Sequence, residues 1–296
     1  MPEKTGKKST TSSSDKQPER QHNNRSTREA TLLEIEIVTL SRQGGRTYNE
    51  DVHGHWHDER YVACLVADGA GGHGGGDVAA ATARASMLGG FSVAPGLDEA
   101  TLRGLVEQAN RDVVARQAEG GKLAGMRSTI VFAAIDLESQ ALAWTHSGDS
   151  RAYLFRGGAI VARTTDHSLV QQMVAGGMLD EEGARLHPQR NMLLSALGSI
   201  EEEPEIAVSQ RMRLLPGDVL LLCSDGVWEP LGDECLIDTL HASRTPSQWT
   251  ELIDLQVQAN AKPGHDNYTA LTLWVIEDDG DDATRLMPEN VASPDS

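Results

Sequence analysis

Apolar positions along the chain fall into two patterns, and the polar stretches between them set the order of elements. Tyr61-Val62-Ala63-Cys64-Leu65-Val66 is a short unbroken apolar run that ends at a glycine-rich stretch, the signature of a strand covered on both faces. Residues 219–223 and 268–276 read the same way. Alternation over residues 31–40 predicts a first strand. Residues 129–136, 141–147 and 151–155 predict three more, the first two joined by a polar turn at 136–140. Arg156-Gly157-Gly158 then signals a hairpin into a strand at 159–162. Helical spacing appears over 78–88, with Asp77 placed to cap it, and over 98–117. In the second of these, Leu102, Leu105, Val106, Ala109 and Val113 form one apolar face. A helix over 168–175 stops at Gly176-Gly177. Residues 233–257 hold two further helical stretches, with Leu236, Leu240, Trp249, Leu252 and Leu255 expected in the core. Many strands with helices at intervals indicate an α+β architecture.

No polar linker interrupts the middle of the 296 residues, so one domain is expected over 31–277. Residues 1–30 are rich in Lys, Ser, Thr, Gln and Asn and carry almost nothing apolar, which predicts a disordered tail. Residues 278–296 are expected to be a second, acidic tail. The net charge of −18 argues against nucleic acid as a partner, because phosphate backbones need Lys and Arg. The segment at the start lacks the apolar core of a signal peptide, and no stretch approaches the ~20 apolar residues of a membrane span. Three cysteines, Cys64, Cys223 and Cys235, lack metal-like spacing, and the first two lie inside apolar runs. Together these features predict a cytoplasmic protein with no membrane partner.

Acids recur where the apolar runs end. Asp68 follows the first buried run and precedes Gly69-Ala70-Gly71-Gly72-His73. Asp225 follows 219–223, Asp149 follows 141–147, and Asp266 precedes the last strand. Glu50 and Asp51 follow the turn that carries Arg46. A single acid of this kind is a solvated turn. Several acids converging would repel one another unless cations stood between them, and carboxylates beside exposed carbonyls suit hard ions.

The segments around these acids carry a resemblance. In order they are Arg46-Thr47-Tyr48-Asn49-Glu50-Asp51, Val66-Ala67-Asp68-Gly69, Met126-Arg127-Ser128-Thr129 and Gly148-Asp149-Ser150-Arg151. Thr165-Asp166-His167-Ser168, His187-Pro188-Gln189-Arg190-Asn191, Ala196-Leu197-Gly198, Cys223-Ser224-Asp225-Gly226 and Asp266-Asn267 follow. The ordered set resembles bacterial metal-dependent serine/threonine protein phosphatases of the PP2C type (the PPM family) over roughly residues 35–277. That resemblance implies a four-layer α-β-β-α sandwich, two antiparallel sheets flanked by helices. It implies two Mn²⁺ or Mg²⁺ ions, with a place for a third, and hydrolysis of phosphoserine or phosphothreonine by a metal-activated water. The metal ligands it implies are Asp68, shared between ions, the Gly69 carbonyl, Asp225 and Asp266, with Asp149 and Asp225 at the third position. Arg46 would bind the substrate phosphate, and Glu50 and Asp51 would act beside the metals. Residues 166–191 match a flap beside the active site. Ala70 stands where eukaryotic members have a histidine, which leaves the general acid open between a water at the cations and His73. His167 and His187 are candidate acids, with a structural hydrogen-bonding role weighing more for both. The implied partners are phosphoproteins and a cognate Ser/Thr kinase, for a monomeric enzyme. The alternative is a catalytically weak regulator or phosphoprotein-binding module, whose expected sign is loss of an acid among Asp68, Asp225 and Asp266.

Overall fold

The computed structural model describes residues 33–70, 74–200 and 203–276. Both expected tails and His73 lie outside the described residues. One sheet has five strands in the order β1 (Glu34–Arg42), β12 (Tyr268–Ile276), β11 (Val219–Cys223), β7 (Arg151–Arg156) and β8 (Ala159–Arg163), every neighbour antiparallel. The second runs β10 (Met212–Arg213), β6 (Ala141–Ser147), β5 (Ile130–Asp136), β3 (Tyr61–Ala70) and β2 (Asp51–His57). Two short strands extend it, β4 (Arg127–Ser128) on β3 and β9 (Ala207–Val208) on β6.

Three apolar clusters separate four layers. Between the sheets, Cys64, Val66, Val131, Ile135 and Leu142 meet Leu154, Leu220, Leu222, Leu271 and Leu273. On the far face of the second sheet, Leu65 and Phe132 pack on α1 (Gly76–Val93) and α2 (Glu99–Gln117) through Met87, Phe91, Leu102 and Val106. On the far face of the first, Phe155 and Leu221 pack on α5 (Asp225–His241) and α6 (Pro246–Asn260) through Leu236, Trp249, Ile253 and Val257. The expected α-β-β-α sandwich is therefore present. It also explains the unbroken apolar strands: β11 is buried at every position because helices cover one of its faces and a sheet the other. The shorter helices α3 (Leu169–Ala175) and α4 (Glu181–Leu186) lie in the segment that matches the flap.

Several expectations need correction. Among the described residues the first strand starts at Glu34, and residues 31 and 32 of the expected strand lie outside them. β2 escaped the pattern search because its sequence, Asp-Val-His-Gly-His-Trp-His, is mostly polar, as an edge strand tolerates. α5 starts at Asp225 rather than 233; Gly226 and Pro230 disguise its first turns, and it breaks at Gly232 (φ 67°). Leu255 is 60% exposed, because α6 buries the i, i+4 row Trp249, Ile253 and Val257 instead. Asp77 is not the cap of α1. The N-cap is Gly75, in the left-handed region at φ 108°, and the Glu50 carboxylate accepts the Gly76 N–H at 3.1 Å.

Trp249 is fully buried, packs edge-on against Phe155 and donates its indole N–H to Thr239 Oγ1 at 3.1 Å. Replacing it by alanine is expected to cost about 3–5 kcal/mol in urea unfolding. A loss below about 1 kcal/mol would contradict the packing of this outer helical layer.

Candidate active site

The acids are brought together by register at one end of the sandwich. Asp51 opens β2 and sits directly opposite Asp68, which lies near the end of β3. From the other sheet, β11 ends at Cys223 and leads through Ser224 to Asp225, the first residue of α5. β12 begins two residues after Asp266 and pairs with β11. Asp149 sits in the short connection by which the chain crosses from β6 in one sheet to β7 in the other. The Asp68 carboxylate feels the charges of Asp51, Asp225, Asp149 and Asp266, so all five share one electrostatic neighbourhood.

Hydrogen bonds hold the acids and the segments that carry them. Ser224 Oγ donates to Asp51 Oδ2 at 2.7 Å and accepts the Thr269 N–H at 3.0 Å, which ties the second sheet to the first beside Asp225. Thr129 donates its N–H to the Asp68 carbonyl at 2.8 Å, and Thr129 Oγ1 accepts the Asp68 N–H at 3.2 Å. Asn267 accepts the Glu50 N–H at 2.9 Å and donates to the carbonyls of Gln43 (2.6 Å) and Tyr48 (3.0 Å). It thereby shapes the loop that carries Arg46. Two glycines are required by space. A Cβ on Gly69 would stand 2.2 Å from the Gly76 carbonyl oxygen, and one on Gly44, at φ +63°, would stand 2.1 Å from that of Asp266. Arg46, 54% exposed at the rim, reaches Asp266 at 2.5 Å.

This neighbourhood opposes its own charge. Burial first, then the neighbouring acids, push Asp68 and Asp225 well above the usual carboxylate range. Burial raises Asp149 to about 7 and Asp51 to about 6, and it also raises Glu50. Asp51 Oδ1 and Asp225 Oδ1 are buried without a hydrogen-bond partner. Buried carboxylate oxygens without donors are uncommon and call for a charged partner. An all-oxygen donor set of this kind fits Mg²⁺ or Mn²⁺. Among the described residues no three such side chains are drawn into ligand geometry.

All eight residues singled out from the sequence lie at this end of the sandwich or in the loops bordering it. Asp68, Asp149, Asp225, Asp266 and Asp51 form the cluster; Arg46, Glu50 and Gly69 edge it. His167 and His187 make structural hydrogen bonds, accepting the N–H groups of Gly148 (3.2 Å) and Gln189 (3.2 Å). The sequence search missed Ser224, Asn267 and Thr129 as supports, although each adjoins an acid or lies within a quoted motif. Trp228, which donates its indole N–H to the Asp149 carbonyl at 2.9 Å, gave no signal beyond being apolar.

The pKa shifts set a pH dependence. An acid whose folded pKa is raised contributes most to stability below its unfolded pKa, and that contribution is lost as pH rises through the folded value. With Asp51 near 6 and Asp149 near 7, the melting temperature in EDTA is expected to fall from about pH 4 to above pH 7. Mn²⁺ is expected to flatten that fall. A metal-free protein that gains stability across this window would contradict the cluster's electrostatics.

The comparisons with known proteins agree with this geometry. The family model for protein phosphatase 2C matches residues 41–267. The serine/threonine protein phosphatase PstP of Mycobacterium tuberculosis is 32% identical over 247 residues, 82% of this chain and 46% of that protein. The chain thus spans about half the length of this curated relative. The serine/threonine phosphatase stp of Listeria monocytogenes is 33% identical over 232 residues, 76% of this chain and 90% of that protein. Among solved structures, the Streptococcus agalactiae serine/threonine phosphatase has a TM-score of 0.73 at 26% identity, covering 82% of this chain and all of that one. The catalytic domain of PstP, solved in complex with two manganese ions, has a TM-score of 0.67 at 31% identity, covering 83% of this chain and all of that one. With more than half of its length matched by the family model, this chain belongs to the protein phosphatase 2C family.

Proposed function

We propose that the chain is a metal-dependent protein phosphatase that hydrolyses phosphoserine and phosphothreonine in proteins. The observation that carries this reading is the pair of buried, unpartnered carboxylate oxygens on Asp51 and Asp225 within a cluster of five acids that has an arginine at its rim. Asp68, the Gly69 carbonyl, Asp225 and Asp266 would hold two Mn²⁺ or Mg²⁺ ions, and Asp149 with Asp225 would hold a third, weaker one. Bound there, the cations supply Lewis-acid activation of water and charge neutralisation at the phosphoryl group.

The chain's own residues do the rest. Asp51 has one oxygen fixed by Ser224 and the other free, so it presents a fixed acceptor to the cluster. Glu50 spends one oxygen on the Gly76 N–H and keeps its second to hold a water. Arg46 is half exposed, and its guanidinium is paired with Asp266. Its planar guanidinium fork suits two phosphoryl oxygens, where it would offset charge in the transition state. The physiological setting we propose is a monomer in the cytoplasm, opposing a Ser/Thr kinase. Buried thiols at Cys64 and Cys223 support a reducing compartment, and no described helix is long and apolar enough to cross a membrane.

Phosphate release from a phosphothreonine peptide is expected to require Mn²⁺ or Mg²⁺ and to stop in EDTA. Asp225→Asn is expected to lose about a hundredfold or more, and Arg46→Ala to raise KM and lower kcat together. Full activity in EDTA, or an unimpaired Asp225→Asn variant, would overturn the assignment.

A further inference from the structure

The third-ion acid, Asp149, sits in a turn whose two ends are gripped by adjacent residues far along the chain. At one end, Arg151 forms a two-pronged ion pair with Asp166 at 2.8 and 2.7 Å, both residues buried or nearly so. At the other, Gly148 exchanges two hydrogen bonds with His167. The Gly148 N–H donates to His167 Nδ1 at 3.2 Å, and the His167 N–H donates to the Gly148 carbonyl at 3.0 Å. Gly148 needs such restraint. It lies at φ +105°, where a Cβ would stand 2.7 Å from Thr129 Cβ, and it starts the crossing between the sheets.

We propose that His167 is a positioning residue that sets Asp149 for its cation through the Gly148 backbone, using a lone pair on Nδ1. This rests on the assignment of Asp149 to a cation made above. Four observations support it. Nδ1 accepts a backbone N–H, so the ring proton must be on Nε2. The His167 ring lies flat on His146, centroids 4.6 Å apart and planes 14° apart. His146 is pinned by its own Nε2–H, which donates to the Thr165 carbonyl at 2.8 Å. His167 is only 7% exposed, its carbonyl accepts the Leu194 N–H at 2.9 Å, and burial lowers its pKa, which favours the neutral ring. Beyond Asp149, the Trp228 indole holds the carbonyl, with the Arg151 guanidinium 3.5 Å above its ring. The Asp166-His167 dipeptide thus acts as a two-jaw clamp on Gly148-Asp149-Ser150-Arg151. This accounts for a motif to which the proposed reaction gives no other role.

The test pairs a metal-independent readout with a metal-dependent one. In EDTA, ¹H–¹⁵N correlation of the ring nitrogens is expected to show His167 neutral with its proton on Nε2. A proton on Nδ1 would overturn the proposal. His167→Phe keeps the stack but removes the acceptor, and the Gly148 amide is expected to exchange about tenfold faster, the worth of one buried hydrogen bond. His167→Asn offers Oδ1 in place of Nδ1 and is expected to restore protection to within about threefold. If neither replacement changes exchange, or if Asn protects no better than Phe, the clamp is wrong. Phosphatase assays then read the consequence. Half-saturating Mn²⁺ is expected to rise about tenfold in the Phe variant and to return in the Asn variant, with kcat at saturating Mn²⁺ changed less than about threefold. A folded Phe variant with native Mn²⁺ dependence would overturn the positioning role. If Phe does not fold, the tautomer of the native ring and protection in the Asn variant decide. A wild type without Mn²⁺-dependent activity would refute the phosphatase assignment instead, while the exchange and tautomer readouts would still judge the clamp.

Discussion

The structure depends on an unfavourable interaction, the mutual repulsion of five carboxylates drawn to one end of a sandwich. Two unit charges ~5 Å apart at an effective dielectric of ~20 repel by about 3 kcal/mol, and burial adds the cost of lost hydration. A fold would not gather acids in this way for stability. It can do so here because side chains from both sheets pin the main chain beside the acids. Ser224 bonds one oxygen of Asp51, Asn267 and Thr129 bond the main chain of Glu50 and Asp68, and one oxygen each of Asp51 and Asp225 is left without a partner among the described residues. Cations bound there would turn this conflict into binding energy, since each carboxylate that repels its neighbours would also attract the ion.

The same arrangement explains why the core is so apolar. Strands β3, β5 and β11 carry almost no polar side chain until their ends, because helices and the facing sheet cover both of their faces. Stability comes from three apolar layers, and this surplus offsets the strained site. Close approaches at Gly69, Gly44 and Gly148 let the strand ends come near enough for acids from both sheets to share one neighbourhood. The two-sheet design therefore serves the site directly: one sheet presents Asp51 and Asp68, β11 of the other leads into Asp225 and its β12 follows Asp266, and the crossing turn presents Asp149.

Much of this was legible in the sequence. The unbroken runs gave β11 and β12 to the residue and the start of β3, which continues past the expected Val66 to Ala70, because two-sided burial leaves a one-dimensional trace. The acids at their ends stood out because a charge beside such a run is unusual. What the sequence hid has physical causes. β2 lies at a sheet edge and reads as polar, so the Asp51–Asp68 pairing was invisible. The N-cap of α1 is Gly75 and the Gly76 N–H is met by Glu50, 26 positions away, whereas local rules chose Asp77. The start of α5 was masked by Gly226 and Pro230, and the burial of Leu255 failed because the i, i+4 row from Trp249 won. No periodicity could join Asp166-His167 to Gly148-Arg151, since these contacts are made only in the folded chain.

The most direct measurement is the melting temperature of Asp68→Asn beside the wild type at pH 8, in EDTA and in Mn²⁺. If buried charge repulsion is the constraint that cations relieve, the variant melts higher than wild type in EDTA and gains little from Mn²⁺, while the wild type gains strongly. A variant that melts lower in EDTA, or that responds to Mn²⁺ as the wild type does, would contradict the account.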